Sequence, residues 1–142
     1  MKLIRKYNLF KYLALLFYTV LAGCSPELDA ASVSLEVAES KINLKQSFSE
    51  DWDRVCVFGP YTTPNMAKAI LGFDYNTALN SDIYSSDSIA LLITIKANSV
   101  VNSYEINRKN ADFTPLSGKC FDHEDSVFFR EGRGHPYVSL IK

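Results

Sequence analysis

A basic and then apolar segment at the N-terminus constrains this chain most, because the rest of the molecule must fold without it. Lys2, Arg5, Lys6 and Lys11 make the first residues positive, and the stretch YLALLFYTVL at 12–21 carries no charge. Ten residues of helix rise about 15 Å, whereas the hydrocarbon core of a bilayer is about 30 Å thick. The pattern is therefore that of a secretory signal peptide, which we expect to cover residues 1–23, and not of a transmembrane helix.

The signal segment runs directly into Leu21, Ala22, Gly23 and Cys24. An aliphatic residue, two small residues and a cysteine resemble the lipobox of bacterial lipoproteins. That resemblance implies cleavage before Cys24 and attachment of lipid to its thiol, and several acyl chains form a firm anchor. The next residue is Ser25 and not aspartate, which in the similar enterobacterial lipoproteins implies the periplasmic face of the outer membrane. An ordinary cysteine behind an ordinary signal peptide is the alternative.

Loss of the signal segment changes the size and the charge of the chain. The whole sequence has 142 residues, with 15 Lys and Arg against 16 Asp and Glu. Because four basic side chains leave with the first 23 residues, 119 residues remain with 11 basic and 16 acidic side chains, a formal charge of −5. This length suits one small domain. The acidic surface argues against nucleic acid and against electrostatic binding to anionic lipid, and it is compatible with a basic protein partner.

Two cysteines remain after lipidation, Cys56 and Cys120. In an oxidising envelope such an even pair favours a disulfide, and the chain lacks a Cys-x-x-Cys redox motif. The bridge would close a loop of 65 residues, counting both cysteines. For a loop of that size the chain-entropy relation gives roughly 4 kcal/mol of stabilisation. Two separate buried thiols are the alternative.

Composition divides the mature chain into a tether and a domain. Residues 24–45 are expected to form the lipidated cysteine and tether, and residues 46–142 a single domain. Within the tether Val33, Leu35 and Val37 alternate with polar residues, as an added edge strand would require.

The first half of the domain contains one clear strand and one clear helix. RVCVF at 54–58 predicts a short buried strand. Thr63, Pro64 and Gly72 have the residue types expected at the N-cap, first residue and C-cap of a two-turn helix. Its apolar residues are expected to share one face packed on a sheet, and they are Met66, Ala67, Ile70 and Leu71.

The second half of the domain is richer in strand signals. Strict alternation at 89–96 predicts the strongest strand, joined by a tight turn to a second strand over 100–108. Two more apolar segments, 126–130 and 137–141, complete the set. The sequence therefore predicts an α+β fold with two layers, a mainly antiparallel sheet of four or five strands and one or two short helices. An all-β sandwich with a surface helix is the alternative.

The stretch WDRVCVFGPYT at 52–62, followed by a helix that closes on Leu71 and Gly72, carries a further resemblance. It is similar to a motif in small uncharacterised bacterial proteins, many of them lipoproteins, that read Trp-Asp-x-aliphatic-x-aliphatic-Phe-x-Pro-Tyr before a helix ending in Leu-Gly. The resemblance is close over residues 52–72 and looser over residues 50–142, and it implies a fold unit, not a reaction. Some lipoproteins of this size and cysteine count look like immunity proteins for secreted toxins.

Three residues are candidates for binding. Trp52 is expected chiefly at the edge of the core with its indole N–H at the surface. Alternatively Trp52, Tyr61 and Phe58 belong to a recognition surface, since Trp and Tyr are favoured interface anchors. Arg133 lies in the glycine-containing loop EGRGHP and can grip a carboxylate or phosphate. We therefore assign Trp52, Tyr61 and Arg133 as candidate binding residues.

Catalytic and metal-binding patterns are weak. Residues 122–125, Asp-His-Glu-Asp, form the one dense group of metal-type ligands, and a solvated turn is favoured because sequence neighbours rarely all point inward. His123 and His135 have no free thiol to activate if the cysteines are bridged. The nucleophile elbow, phosphate-binding loop and dinucleotide fingerprint are absent from the sequence. We expect no catalytic residue, metal or cofactor.

Together these features predict a membrane-tethered envelope lipoprotein that acts as a non-enzymatic protein-binding module. Its expected partner is a protein, either a secreted toxin that it neutralises or an envelope component, and not nucleic acid. A structural or assembly lipoprotein of the outer membrane is the alternative. A hydrolase using His123 or His135 is the third class.

Overall fold

The alternating residues 89–96 form the central strand of a five-stranded sheet in a computed structural model of the protein. The structure describes residues 31–32, 41–130 and 137–140. Within these ranges it contains two sheets and three short α-helices, and most of the regular structure is strand. The predicted α+β class is confirmed. Among the same residues no helix has the length and apolar character that crossing a bilayer requires.

The main sheet is antiparallel except at one edge. In spatial order its strands are β1 (Ala31–Ser32), β5 (Ser99–Asn107), β4 (Ile89–Lys96), β3 (Arg54–Phe58) and β6 (Cys120–Asp122). β1 pairs with β5 in parallel, and the other neighbours pair antiparallel. The pairing of β3 with β6 sets Cys56 opposite Cys120, and their sulfur atoms lie at disulfide distance, as the cysteine count predicts.

The predicted hairpin between β4 and β5 is confirmed. Lys96 pairs with Ser99, so the loop consists of Ala97 and Asn98 alone. Both loop residues have positive φ, 47° and 66°, which is the requirement of the primed turns that match the twist of two-residue hairpins.

A second, three-stranded sheet was not predicted from the sequence. Its order is β2 (Lys41–Asn43), β7 (Val127–Arg130) and β8 (Val138–Leu140), all antiparallel. A short helix, α1 (Leu44–Ser47), follows β2. Ile42 and Leu44 are fully buried, so residues 41–45 belong to the domain and the expected boundary at residue 46 is wrong. The predicted edge strand at Val33, Leu35 and Val37 lies outside the described residues.

The predicted two-turn helix is confirmed as α2 (Pro64–Leu71). The Thr63 hydroxyl accepts a hydrogen bond from the Met66 N–H at 3.2 Å, and Gly72 ends the helix with φ 84°. A third helix, α3 (Thr77–Asn80), and a 3₁₀ turn at Asp82–Tyr84 follow before β4 begins.

Apolar residues cover both faces of the main sheet. On one face α2 and the 3₁₀ turn pack over a cluster made by Cys56, Phe58, Ala67, Leu71, Ile83, Leu91, Ile93 and Ile95. On the other face the second sheet and its connections pack over a larger cluster that includes Ile42, Trp52, Val55, Val57, Leu92, Tyr104, Phe113 and Phe128. Because β4 is buried from both sides, its sequence IALLITIK stays apolar at positions that a half-exposed strand would make polar.

The two ends of the main sheet differ in what they carry. We call one end the hairpin end. It carries the β4–β5 turn, the first residue of β3 (Arg54) and the last residue of β6 (Asp122). At the other, the loop end, β3 finishes at Phe58, and β4 begins at Ile89. The segment 59–88, with α2, α3 and the 3₁₀ turn, connects those two strands at the loop end.

Candidate functional site

Trp52 is a core residue. Its side chain is 3% exposed, and its ring makes edge contacts with Phe48 and His123, at centroid distances of 6.4 and 4.5 Å. The expectation of a surface indole N–H is wrong, because Nε1 is buried and finds no hydrogen-bond partner among the described residues. A binding partner cannot reach this ring, so Trp52 is not an interface anchor.

Tyr61 has the opposite character. The residue is 57% exposed, and its backbone has φ 62°, in the left-handed region. A bulky residue seldom adopts that conformation, which costs roughly 1–2 kcal/mol in a residue with a Cβ atom. Such local strain occurs preferentially at functional sites, where the surrounding structure holds it in place.

Hydrogen bonds on both sides fix the turn that holds Tyr61. The Thr62 hydroxyl donates to the Gly59 carbonyl at 2.7 Å, and the Tyr61 N–H donates to the Ile83 carbonyl at 2.7 Å. The Gly59 N–H donates to the Ser117 hydroxyl at 2.8 Å. A Cβ atom on Gly59 would lie 2.9 Å from that hydroxyl oxygen, so only glycine permits this approach. These contacts leave the Tyr61 backbone no relaxed alternative and direct its ring to solvent.

Three further exposed apolar side chains belong to segments that meet at the same end. The hydrogen bond from Tyr61 to Ile83 brings in the 3₁₀ turn, and the Thr77 hydroxyl donates to the Thr62 carbonyl at 3.1 Å, which ties α3 to the same turn. We define the loop-end patch as Tyr61, Met66, Leu79 and Tyr84, which are 57, 51, 65 and 52% exposed. Large apolar side chains gathered on one exposed region mark interaction sites more often than singly scattered ones.

Charged side chains of both signs flank the loop-end patch. Between residues 61 and 87 the chain has one lysine and three aspartates. Lys68 pairs with Asp74 at 2.9 Å, and the Arg108 guanidinium lies against Asp87, to whose carbonyl it donates a hydrogen bond at 2.6 Å. The exposed Lys109 and Lys119 belong to loops at the same end of the sheet, so the border of the patch is mixed in charge.

A group of hydrogen-bonded polar side chains lies inside the domain, near the hairpin end. Glu50 accepts hydrogen bonds from the Tyr104 hydroxyl and from the Thr94 hydroxyl, the latter at 3.2 Å. Burial raises the pKa of Tyr104 well above its usual value, and the hydrogen bond to Glu50 and its charge raise that pKa further. Phe48 stacks on the Tyr104 ring at 4.0 Å. The hydroxyl therefore stays protonated and serves as an internal donor, which is a structural role.

The acidic cluster at 122–125 lies at the surface, where Asp122 ends β6 and His123–Asp125 form a 3₁₀ turn. Glu124 pairs with Lys45 at 2.6 Å, and its other oxygen lies 3.3 Å from Nδ1 of His123. The hydrogen bond from Lys45 lowers the pKa of Glu124, and the one from His123 lowers it further. Among the residues that the structure describes, no three His, Cys, Asp or Glu side chains are grouped to hold a metal ion.

Some predicted site residues lie outside the described residues, namely Cys24, Arg133 and His135. Lipidation of Cys24 and binding by Arg133 thus stay predictions.

Met66, Leu79 and Tyr84 were missed as site residues. Met66 was expected on the inner face of α2, but the Ala67 and Leu71 side chains are buried there whereas Met66 is 51% exposed.

The chain matches no protein-family model, no curated protein and no solved structure in the comparisons made.

Proposed function

We propose that the protein is an envelope lipoprotein, anchored by lipid on Cys24, whose domain binds another protein through the loop-end patch and catalyses no reaction. The observation that carries the proposal is Tyr61, an exposed aromatic residue kept in a strained backbone conformation. A residue with only a structural role gains nothing from that combination. Tyr and Met are both enriched in protein interfaces, and a tyrosine buys contact area at little cost in side-chain entropy.

The same patch suits a partner that buries it fully. Truncating a tyrosine at the centre of an interface commonly costs about 2 kcal/mol or more, a loss of roughly 30-fold in affinity. We expect Tyr61→Ala to cause a loss of that size in partner binding, measured by calorimetry or surface plasmon resonance. Phe129→Ala is the matched control, because Phe129 is an exposed aromatic residue, 43% exposed, on the second sheet. Loss of binding with Phe129→Ala and not with Tyr61→Ala would move the interface to the second sheet.

The proposed role is that of an immunity protein against a secreted toxin, and cell growth separates this role from envelope assembly. A strain that lacks the gene should grow normally alone and should be killed beside a toxin-secreting sibling. A plasmid copy should restore protection, and a Tyr61→Ala copy should restore less. An envelope defect of the deletion strain in monoculture would instead support a structural or assembly role.

The lipid anchor has its own test. A fatty-acid analogue should label the wild-type protein in growing cells, and Cys24→Ser should abolish the label and block cleavage by the lipoprotein peptidase. Label that survives the substitution would contradict the anchor.

The absence of catalysis is tested through the two histidines. Changing His123 and His135 together to Gln should leave binding and protection within a few-fold of wild type. Full loss of protection in a well-folded double variant that still binds its partner would indicate an enzyme or a metal site.

A further inference from the structure

The disulfide between Cys56 and Cys120 is connected to the loop-end patch through one short segment. Cys120 is the first residue of β6 and lies opposite Cys56 on β3, with their Cα atoms 4.0 Å apart. Ser117, three residues earlier in the chain, has the hydroxyl that accepts the hydrogen bond from the Gly59 N–H. The segment 117–120 therefore joins the disulfide to the turn that holds Tyr61.

The disulfide is the strongest attachment of this segment to the domain. All four residues of 117–120 are exposed. Two backbone hydrogen bonds join them to β3, from the Val57 N–H to the Lys119 carbonyl and from the Gly118 N–H to the Val57 carbonyl, both at 2.9 Å. Exposed segments at a sheet edge with few buried contacts open locally at low free energy. Without the covalent bond at Cys120, the segment therefore separates readily from β3.

The turn that holds Tyr61 depends on this segment. Gly59 is buried, and the Ser117 hydroxyl accepts its N–H at 2.8 Å. A buried N–H that loses its partner is costly, so the turn rearranges when Ser117 moves away. The left-handed backbone of Tyr61, with φ 62°, persists only while its surroundings hold it. Loss of the Ser117 contact therefore lets Tyr61 relax and changes the direction of its exposed ring.

We propose that the Cys56–Cys120 disulfide is a redox-sensitive device that controls the binding site. The loop-end patch takes its binding conformation when the bond is closed and loses it when the bond is reduced. This inference rests on the proposed function, because it assigns a regulation to the same patch. Since the cytoplasm keeps thiols reduced, the site forms after export and not in the precursor.

Closing the bond is a two-electron oxidation by a disulfide of an envelope thiol oxidant. The thiolate of the exposed Cys120 attacks that disulfide, which frees one thiolate of the oxidant and leaves a mixed disulfide at Cys120. The Cys56 thiolate then attacks the Cys120 sulfur, and the second thiolate of the oxidant leaves. The protein loses two electrons and two protons, and the oxidant gains them as a dithiol. Dithiothreitol reverses these steps and attacks at Cys120, because Cys56 is fully buried.

Nuclear magnetic resonance of the full-length protein, purified in detergent, tests the coupling without a partner. At positive φ the amide and α hydrogens of one residue lie close together, so their Overhauser effect in Tyr61 should be strong. Reduction with dithiothreitol should weaken it several-fold, while the Val138 signals of the second sheet stay in place. An unchanged effect in the reduced, folded protein would overturn the proposal. Loss of all native signals on reduction would also overturn it, because the bond would then support the whole fold and not this turn.

Ser117→Ala tests the same coupling with the disulfide intact. The variant removes the acceptor of the Gly59 N–H, so the Tyr61 Overhauser effect should weaken as it does in the reduced protein. Ser47→Ala is the matched control, because it removes one hydroxyl hydrogen bond, to the Asn43 carbonyl at 3.0 Å, in α1. It should leave the effect in Tyr61 unchanged. Equal changes in both variants, or no change in Ser117→Ala, would overturn the proposal.

Photo-crosslinking in living cells connects the disulfide with the proposed function. A photoreactive amino acid at position 84, in the loop-end patch, should give a protein adduct in the wild type. The yield per molecule of protein should fall several-fold in Cys120→Ser and in Ser117→Ala, and it should not change in Ser47→Ala. Equal yields in the wild type and all three variants would overturn the redox control. Absence of any adduct in the wild type would instead contradict the proposed function, and the Overhauser effect in Tyr61 would still decide whether the bond controls the turn.

Discussion

At the scale of single residues, Tyr61 connects stability with function. Its left-handed backbone would suit glycine, and its ring gains little from packing because it is 57% exposed. The fold therefore holds a tyrosine where a smaller residue would be at least as stable. The proposed binding role would explain this choice, since an exposed ring is available to a partner and contributes little to the core.

Replacing Tyr61 by glycine and by alanine separates the effect of the backbone strain from the effect of the ring. Both substitutions remove the ring, but only Tyr61→Gly relieves the left-handed strain. Glycine normally destabilises relative to alanine, whereas here we expect Tyr61→Gly to be more stable than Tyr61→Ala by about 1 kcal/mol. Urea unfolding of the two variants measures the difference. Both variants should lose partner affinity equally, and a more stable alanine variant would mean that the backbone at this position is not strained.

The disulfide gives a second prediction at this scale. The denatured, unreduced domain should contain no reactive thiol at Cys56 or Cys120, and reduction should expose both. Loss of the 65-residue loop constraint should lower the free energy of unfolding by roughly 4 kcal/mol. Cys120→Ser is the milder variant because Cys120 is exposed, whereas Cys56→Ser also leaves a hydroxyl in the fully buried Cys56 site. Two thiols that react without reduction would contradict the bridge.

The contrast between Trp52 and Tyr61 shows what a single sequence leaves open at residue scale. Both are aromatic, and both lie beside the same predicted strand at 54–58. Trp52 is buried because Phe48, which is nearby in the chain, and His123, which is distant in the chain, pack against it. Tyr61 is exposed because its hydrogen bond to Ile83 fixes the turn. The contacts with His123 and Ile83 leave no local signal in the sequence.

At the scale of elements, local sequence signals predicted individual strands and helices, whereas strand pairings between distant segments could not be predicted. The strand Arg54–Phe58, the helix Pro64–Leu71 and the hairpin are each specified by neighbouring residues through alternation, caps and a two-residue turn. The second sheet instead joins Lys41–Asn43 to Val127–Arg130, more than 80 residues away in the chain. A three-residue strand has too short a pattern to be recognised, so the tether was predicted to extend too far.

Substitutions in the hairpin turn can raise the stability of the domain. Ala97 has φ 47°, a conformation that alanine adopts at a cost, and Asn98 has φ 66°. Asn-Gly is the preferred pair for two-residue loops of this kind. Changing Ala97 to Asn and Asn98 to Gly should raise the free energy of unfolding by about 1 kcal/mol.

Thermal and urea unfolding check this gain. The loop is exposed at both positions, and the N–H of residue 97 can still donate to the Asp53 carboxylate, so binding at the loop end should not change. Ala97→Val is a control with the opposite expected effect, because a β-branched residue is strained at positive φ and should destabilise the domain. A destabilised Asn-Gly variant would exclude a primed turn.

At the scale of the whole molecule, Asp112 links the two sheets. Its carbonyl accepts a hydrogen bond from the Val138 N–H of the second sheet at 3.0 Å. Its carboxylate accepts two bonds from the Arg108 guanidinium, just beyond β5, at 3.1 and 2.9 Å, and bonds from Thr114 as well. Arg108 in turn donates to the Asp87 carbonyl at 2.6 Å. Asp112 thus connects the second sheet through its main-chain carbonyl, and its buried carboxylate connects Arg108 at the end of β5 with the segment that leads into β4.

The charge state of Asp112 makes this junction sensitive to acid. Burial by itself raises the pKa of Asp112, but the hydrogen bonds from Arg108 and Thr114 outweigh it and hold that pKa below its usual value. The folded pKa is then lower than the unfolded pKa of about 3.9. The ionised carboxylate therefore contributes its full stabilisation above about pH 4, and this contribution is lost as the pH falls through the folded pKa.

Asp112→Asn tests this junction as a function of pH. At neutral pH the variant should lose about 2 kcal/mol of unfolding free energy, because it leaves the Arg108 guanidinium without its charged acceptor. Urea unfolding at a series of pH values should show the gap between wild type and variant narrowing below about pH 4, since protonation then removes the same charge from the wild type. Asp125→Asn, at an exposed carboxylate of the turn His123–Asp125, should show no such gap at any pH. If the gap between Asp112→Asn and wild type stays constant down to about pH 2, the ionised carboxylate does not stabilise this junction, which then depends on packing and on the main-chain hydrogen bond from Val138 to Asp112.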